Sequence, residues 1–362
     1  MKAAIFEGKG ILTLKDILEP KLEDRKFPKK YKKGEFVFVG KDEQVKLKVL
    51  VASICGTDLH ILNVPSGHDA TPGIVLGHEY VGEVTEIGSR VKNVKVGDRV
   101  VVDPNIKCGM CYFCRNDMAS LCRDMTTLGI FCDGGFAEYN VAPAKQLFAI
   151  PKDLDIEKAI FFEPLTCATH AWSKLNFKLG DSVLIFGAGP MGCYFIELAR
   201  LSGASKIFVS EPSEFRRKFA KKLKADVIIS PERENLLEII KLNTFKNGFF
   251  GVDVAVDACG IPEVIKQAMD LVKPGGKIST FGEQNINAFA DKVSFTKVTQ
   301  KELQIIGSYA TTRSADQTIN ILTRSDINLK KLITHRIKLD EIHKGMELMR
   351  KGEAIESVVY PK

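Results

Sequence analysis

A glycine-rich segment in the second half of the chain constrains the fold more than any other feature of the sequence. An apolar run at residues 183–186 leads directly into Gly187, Gly189 and Gly192, and a segment with helical periodicity follows. Three glycines at this spacing allow a tight turn, close approach of the backbone to a pyrophosphate and close packing of the helix on the strand. The helix N-terminus adds N–H donors and a partial positive charge. The pattern predicts a dinucleotide-binding loop.

The segments around this loop alternate between strand-like and helix-like patterns. Helix-length stretches separate short apolar runs at residues 183–186, 207–209, 227–229, 252–256, 278–281 and 303–306. Six strands in such an alternation predict an α/β fold with a doubly wound parallel sheet, as in Rossmann domains.

An acidic residue follows the second of these runs. Glu211 lies 19 residues after Gly192, where a carboxylate can accept hydrogen bonds from the adenosine ribose hydroxyls. A carboxylate at this position favours NAD over NADP, because it repels a 2′-phosphate. Arg216 and Arg217 keep NADP open as the less favoured alternative.

The first hundred residues have a different sequence pattern, in which glycines separate short apolar runs. This pattern predicts an antiparallel, barrel-like domain. A chain of 362 residues exceeds one compact core, so two domains are expected. We predict one domain from residues 1–163 and 309–362 and a cofactor domain from residues 164–308. Residues 21–44 are longer than the link expected there and predict an extra hairpin.

Four cysteines form the strongest local signal. Cys108, Cys111, Cys114 and Cys122 have C-x2-C-x2-C-x7-C spacing, so four thiolates can converge on one tetrahedral zinc ion. Such a closed site leaves no position for a substrate, and its role would be structural. Disulfides and a small iron–sulfur site are the alternatives.

Charge and composition narrow the function classes. The chain shows neither a secretory signal nor a run of about 20 apolar residues, so a cytoplasmic location without membrane contact is expected. The net charge of +7 is dispersed, except for a cluster at Lys29, Lys30, Lys32 and Lys33 that we interpret as a solvated loop. A zinc-ribbon protein that binds nucleic acid is the non-enzyme alternative. It is disfavoured because basic and aromatic residues do not interleave around the cysteines.

Three further segments carry candidate metal ligands. ICGTDLH contains Cys55, LGHEYVG contains His78 and Glu79, and FFEPLTCATH contains Glu163. None of these three segments by itself is specific for a metal site. Together with the cysteine lobe and the glycine loop, in this order, they make the whole chain resemble the zinc-dependent medium-chain alcohol dehydrogenases. The resemblance is to the branch of polyol, butanediol and threonine dehydrogenases, and it implies a GroES-like, β-rich catalytic domain beside the Rossmann domain.

The resemblance implies a catalytic zinc held by Cys55, His78 and either Glu79 or Glu163, in addition to the structural zinc. A zinc ion with an open position lowers the pKa of an alcohol. By the same resemblance Thr57 and His60 relay the proton to solvent, and Asp58 holds the other ring nitrogen of His78.

The implied reaction is hydride transfer between a small secondary alcohol, such as a polyol, sugar alcohol or diol, and NAD. L-threonine and sugars of the aldose or inositol type are alternative substrates, and a zinc-free enoyl or quinone reductase is a rival enzyme. A homo-oligomer, either a dimer or a tetramer, is also implied. The remaining thiols are expected to serve packing: Cys132, Cys167, Cys193 and Cys259.

Overall fold

In the computed structural model, the described residues are 1–32, 34–282, 289–291, 293–311, 314–324, 326–327 and 329–362. They form two units, Met1–Thr166 with Thr311–Lys362, and Cys167–Ala310. Across this described part of the chain, no helix is long and apolar enough to cross a membrane. Lys33 of the predicted lysine loop lies outside the described residues.

The strands are β1 (Lys2–Gly8), β2 (Ile11–Asp16), β3 (Arg25–Pro28), β4 (Phe36–Val39), β5 (Gln44–Ser53), β6 (Ile74–Val75), β7 (Glu79–Ile87), β8 (Arg99–Val102), β9 (Asn105–Ile106), β10 (Thr126–Thr127), β11 (Tyr139–Pro143), β12 (Leu147–Ala149), β13 (Ser182–Phe186), β14 (Lys206–Ser210), β15 (Val227–Ile229), β16 (Val252–Asp257), β17 (Val272–Thr280), β18 (Gln304–Gly307), β19 (Ile333–Lys338) and β20 (Glu356–Tyr360). The helices are α1 (Gly56–Ile61), α2 (Tyr112–Arg115), α3 (Ile156–Ala159), α4 (Phe162–Lys174), α5 (Pro190–Leu201), α6 (Glu214–Lys222), α7 (Leu236–Thr244), α8 (Pro262–Leu271), α9 (Phe295–Gln300), α10 (Ala315–Thr323) and α11 (Ile342–Arg350).

The unit Cys167–Ala310 is built on a parallel sheet. Among its described residues, six strands lie in the order β15, β14, β13, β16, β17, β18. All five residues of β13 are buried, as expected where helices cover both faces of a parallel sheet. The order reverses at β13, and ligands of open α/β sheets bind at such a switch point. The predicted doubly wound fold is confirmed.

The loop after β13 shows why glycine is needed there. Gly187 has a φ of +97°, which a side chain would strain, and a β-carbon on Gly192 would lie 2.1 Å from the Gly187 carbonyl oxygen. Gly189 caps α5, and Pro190 occupies its first turn, where a missing N–H costs nothing. The N-terminus of α5 therefore points its free N–H groups into the switch point.

The other unit is mainly antiparallel. In the part of it that is described, β12, β8, β7, β5, β20 and β19 follow one another in one sheet, and β11 also pairs with β5. The C-terminal strand β20 joins this sheet beside β5, with Val358 opposite Ser53. Buried Leu47, Val49 and Val84 contribute to its apolar core. The antiparallel, β-rich architecture predicted for this unit is confirmed.

Glu157 on α3 connects the C-terminal segment to this unit. Its carboxylate accepts hydrogen bonds from Arg336 at 2.6 and 2.9 Å and from the Tyr360 hydroxyl at 2.6 Å, and Lys330 lies 3.3 Å away. The hydrogen bonds from Arg336 outweigh burial and, with Tyr360 and Lys330, lower the pKa of Glu157 to about 2.

We expect Glu157→Gln to lower the free energy of unfolding by about 2 kcal/mol at pH 7, because charge-assisted hydrogen bonds are lost. The folded pKa lies below that of an unfolded glutamate, so the stabilisation is present above about pH 4.3 and declines as the pH falls towards 2. Urea unfolding at pH 7 and at pH 4 measures the difference. Glu347→Gln, which removes an exposed pair with Lys351 at 2.7 Å, is the control and should change stability little. A Glu157→Gln effect that is zero at pH 7, or that grows towards acid, would refute this assignment.

The long segment after β2 forms the predicted hairpin, in which β3 pairs with β4. Its turn packs beside the last cysteine of the lobe. Lys29 and Lys32 lie 2.9 and 2.8 Å from Asp124, and the Lys30 N–H donates to the Met125 carbonyl at 2.7 Å. The side chain of Lys29 is only 17% exposed, so the prediction of a solvated lysine loop is wrong for this residue. Its charge pairs with acids of the same unit.

Candidate metal centres and dinucleotide loop

The four cysteines of the lobe meet at one point. Their sulfur atoms lie within 4.8 Å of one another, with the Cys108 Sγ 3.5 Å from Cys122 and 4.0 Å from Cys114. The Cys111 and Cys122 sulfurs are 3.9 Å apart. A tetrahedron with zinc–sulfur bonds of ~2.3 Å has edges of about 3.8 Å, so the arrangement fits one zinc ion. None of the four cysteines forms a disulfide in this structure, and these sulfur separations are longer than the ~2.05 Å of a disulfide bond.

Backbone N–H groups support this cluster. The Cys108 N–H donates to the Cys122 sulfur at 3.4 Å, and the Cys111 N–H donates to the Cys108 sulfur at 3.3 Å. Burial opposes ionisation of Cys111, but hydrogen bonds from the Cys114 backbone and from neighbouring thiols lower its pKa to about 6. These groups favour the thiolate form of Cys111, whereas burial raises the pKa of Cys114 and of Cys122. A metal ion would offset that burial and would hold all four cysteines as thiolates, the form that binds a metal.

A second cluster combines Cys55, His78 and Glu79. Their ligand atoms also lie within 4.8 Å of one another, and the His78 Nε2 is 4.0 Å from a Glu79 oxygen. His78 and Glu79 are 6% and 3% exposed, and Cys55 is half-buried. One sulfur, one imidazole nitrogen and one carboxylate oxygen are a donor set that suits zinc, and three protein ligands leave a fourth position open.

Asp58 supports two of these residues. One carboxylate oxygen accepts a hydrogen bond from the Cys55 N–H at 2.9 Å, which caps α1. The other lies 3.7 Å from the His78 Nδ1. Among the described residues neither of these two facing atoms has a hydrogen-bond partner. Asp58 therefore faces the ring nitrogen that points away from Glu79, and its helix-capping role is an addition to what the sequence predicted.

Burial and charge set the protonation of the cluster. Burial, followed by the charges of Asp58 and Glu163, raises the pKa of the Cys55 thiol to about 12. Burial alone would lower the pKa of His78, but Asp58, Glu163 and Glu79 outweigh it and raise that pKa to about 10. The pKa of Glu79 is also raised, first by burial and then by Cys55. A divalent cation would offset this concentration of negative charge.

Glu163 lies near the cluster but outside its inner group. It is the second residue of α4 and is 8% exposed. Its charge affects Cys55 and His78, yet it is not among the three residues whose ligand atoms lie within 4.8 Å. The geometry thus distinguishes Glu79 from Glu163, which the sequence could not.

Helix α1 carries Thr57 and His60, the two residues that are predicted to relay the proton. The Thr57 hydroxyl lies 3.7 Å from the Cys55 sulfur. His60 follows three residues later, so it lies on the same side of the helix, and it is half-buried. The two side chains lead from the cluster along α1 to a partly solvent-accessible position.

His78 is positioned by a close backbone contact. A β-carbon on Gly134 would lie 2.3 Å from the Gly77 carbonyl oxygen, and one on Gly129 would lie 2.4 Å from Gly77. Glycine at both positions lets residues 129–135 approach the backbone just before His78, where the Gly135 N–H donates to the Gly77 carbonyl at 2.7 Å. Gly129, Gly134 and Gly135 thus help to place a candidate ligand, which the sequence alone did not reveal.

At the glycine loop, Glu211 is 2% exposed and both of its oxygens are in use. They accept hydrogen bonds from the Ala188 N–H at 2.7 Å and the Ser213 N–H at 2.8 Å. The carboxylate therefore ties the loop after β13 to the end of β14. The Arg216 guanidinium lies 3.8 Å from the position that a β-carbon on Gly189 would occupy, so it is close to the glycine loop.

The remaining thiols differ in their surroundings. Cys132 and Cys193 are buried and Cys167 is half-buried. Cys259 is exposed, so the prediction of a packing role is wrong for it. Its thiol donates to an Asp257 oxygen at 3.3 Å at the end of β16.

Comparisons with known proteins agree with this arrangement. Residues 41–152 match the alcohol dehydrogenase GroES-like domain, and residues 190–324 match the zinc-binding dehydrogenase family. An L-threonine 3-dehydrogenase from Caldanaerobacter subterraneus subsp. tengcongensis is 38% identical over 336 residues, which span 91% of this chain and 94% of that protein.

Solved structures give the same result. A zinc-binding dehydrogenase from Sinorhizobium meliloti bound to NADP is 30% identical, with a TM-score of 0.88 and 99% coverage of both chains. The 2R,3R-butanediol dehydrogenase from Bacillus subtilis is 28% identical, with a TM-score of 0.85, over 100% of this chain and 99% of that one. The chain therefore belongs to the zinc-dependent medium-chain alcohol dehydrogenase family, whose members are oxidoreductases that act on alcohols with zinc and a nicotinamide dinucleotide as cofactors.

Proposed function

We propose that the chain oxidises a small secondary alcohol with transfer of a hydride to NAD, at a zinc centre formed by Cys55, His78 and Glu79. The observation that carries this proposal is the convergence of these three ligand atoms within 4.8 Å of one another. Three ligands with an open position are typical of catalytic zinc, whereas the four-cysteine lobe is closed and would bind a structural zinc.

Residues on α1 and at the start of β7 would bind the metal, orient its ligands and move the substrate proton. Zinc held by Cys55, His78 and Glu79 would supply the Lewis acidity that lowers the pKa of an alcohol, and a bound nicotinamide would supply the hydride acceptor. Thr57 would take up the hydroxyl proton of the substrate as it gives up its own proton, and His60 would release a proton to solvent as the terminal base. Asp58 faces the Nδ1 of His78, which keeps the Nε2 directed towards Glu79.

The choice of NAD rests on the charge at Glu211. A buried carboxylate at the end of β14 repels a 2′-phosphate, and a carboxylate has acceptor capacity beyond the two backbone N–H groups it already serves. The side chain of Arg217 donates a hydrogen bond to the Glu211 backbone carbonyl at 2.8 Å. Part of the hydrogen-bonding capacity of this guanidinium is therefore already used within the protein. Arg216 is the cation nearer the glycine loop and is the candidate partner for cofactor phosphate.

We expect Glu211→Ser to lower kcat/KM for NAD by roughly tenfold or more, because charge-assisted hydrogen bonds to the ribose are lost. NADP should lose much less, or gain, since the repulsion is removed. Steady-state kinetics with both cofactors measures the ratio. Glu214→Ser is the matched control, because Glu214 is 73% exposed on the next helix and should leave the ratio unchanged. A wild type that prefers NADP, or an unchanged ratio in Glu211→Ser, would show that Glu211 does not select the cofactor.

Two classes of alcohol are candidate substrates. L-threonine is favoured by the curated relatives that are 35% to 38% identical and named L-threonine 3-dehydrogenase. Diols and polyols are supported by the butanediol dehydrogenase at 28% identity. Both classes offer a secondary alcohol beside a carbon that carries a second polar group, either ammonium or hydroxyl.

A substrate panel tests the proposal. L-threonine, 2,3-butanediol stereoisomers, polyols and sugars are each supplied with NAD and with NADP, and reduced nicotinamide is followed by absorbance. We expect one of these secondary alcohols to be oxidised with NAD at a kcat/KM far above that of a primary alcohol. Failure of every alcohol to support reduction by the zinc-loaded protein would contradict the proposed function.

A further inference from the structure

Ser53, the last residue of β5, lies between two strands that carry buried acids. Its partner on β7 is Glu79, and its partner on β20 is Val358, two residues beyond Glu356. Directly opposed residues share a face of a sheet, and so do residues two apart on one strand. The side chains of Ser53, Glu79 and Glu356 therefore lie on one face.

A hydrogen bond on this face joins Glu356 to Ser53, the residue opposite Glu79. The Ser53 hydroxyl donates a hydrogen bond to Glu356 Oε1, and the two residues are 1% and 4% exposed. Glu356 is not among the three residues whose ligand atoms lie within 4.8 Å, so its effect on the centre is indirect.

We propose that Glu356 is a positioning residue of the centre formed by Cys55, His78 and Glu79, and that its buried charge, held by Ser53, strengthens the binding of a divalent cation there. Charges that are removed from solvent are weakly screened, so a carboxylate beside the ligands attracts a cation over several ångströms. Groups behind the ligands typically change metal affinity by about 10- to 100-fold. This inference rests on the proposed zinc site.

The test is competition for zinc between the full-length, zinc-loaded protein and a chromophoric chelator. We expect Glu356→Gln to weaken zinc binding at one of the two sites by about tenfold, because the charge is lost while the shape is kept. Glu356→Asp, which keeps the charge, should recover most of the affinity. Glu353→Gln is the matched control, since Glu353 is exposed and lies three residues away.

A second readout separates this role from simple structural support. After the chelator has removed the zinc, Glu356→Gln should melt at or above the temperature of the wild type, because the variant no longer buries a charge that lacks a cation. Zinc affinity within twofold of the wild type at both sites would overturn the inference. An equal loss of melting temperature with and without zinc would do the same.

The outcome for the wild type distinguishes this inference from the proposed function. If the wild type releases fewer than two zinc ions per chain, or if Cys55→Ser still holds two, the proposed zinc site itself fails. If the wild type binds two and Cys55→Ser binds one, unchanged affinity in Glu356→Gln overturns only the role of Glu356.

Discussion

Replacing Cys55 with serine should reduce turnover by about a thousandfold or more while dinucleotide binding stays close to that of the wild type. Cys55 is the sulfur ligand of the proposed catalytic centre, and the metal at such a centre stabilises the transition state by several kcal/mol. A loss of about 4 kcal/mol corresponds to a factor of about a thousand in rate. The glycine loop belongs to the other unit of the chain, so titration with NADH, followed by the fluorescence of the reduced nicotinamide, should be little affected.

Cys132→Ser is the matched control for this prediction. Cys132 is buried in the same unit, and its thiol donates to the Thr127 carbonyl at 3.5 Å, a hydrogen bond that serine can keep. This variant should retain turnover within a few fold. A Cys55→Ser enzyme with normal kcat and normal zinc content would place the catalytic centre elsewhere.

Replacing Cys111 with serine should have a different consequence, namely loss of stability. The four sulfurs lie within 4.8 Å of one another, and three thiolates with one hydroxyl hold zinc less well than four thiolates. Loss of a structural metal is among the large destabilising changes, on the order of 4 kcal/mol, which lowers the melting temperature of a unit of this size by about 10 °C. Differential scanning calorimetry measures this shift.

The activity of the Cys111 variant is the second part of the prediction. Turnover per folded molecule should remain far higher than in Cys55→Ser, because the lobe offers no open coordination position. Ser120→Ala, a change beside Cys122 that removes no sulfur, is the control and should keep both zinc ions. A Cys111→Ser protein with an unchanged melting temperature and zinc content would refute a structural metal in the lobe.

The features predicted best from the sequence are those whose residues are close together along the chain. The cysteine lobe spans residues 108–122, so the spacing alone indicated one tetrahedral site. The parallel sheet was predictable because each buried strand is a short apolar run and helix-length segments separate the runs. The glycine loop combines both kinds of signal, since the strand, the turn and the helix are contiguous.

Features that depend on how distant strands pair could not be predicted. Glu79 and Glu163 were equivalent candidates in sequence, and only the placement of β7 beside Cys55 separates them. The neighbourhood of Ser53, Glu79 and Glu356 requires β20 to return beside β5, which no local pattern encodes. Glu211 was predicted as an acceptor for the ribose, but its hydrogen bonds to Ala188 and Ser213 depend on the final geometry of two loops.

Zinc analysis of the purified protein and two variants tests the central claim most directly. The account predicts about two zinc ions per chain in the wild type, and about one in both Cys55→Ser and Cys111→Ser. It further predicts that only Cys55→Ser loses its activity together with its zinc. One zinc ion or none in the wild type, or two zinc ions retained in Cys55→Ser, would contradict a catalytic zinc at Cys55, His78 and Glu79.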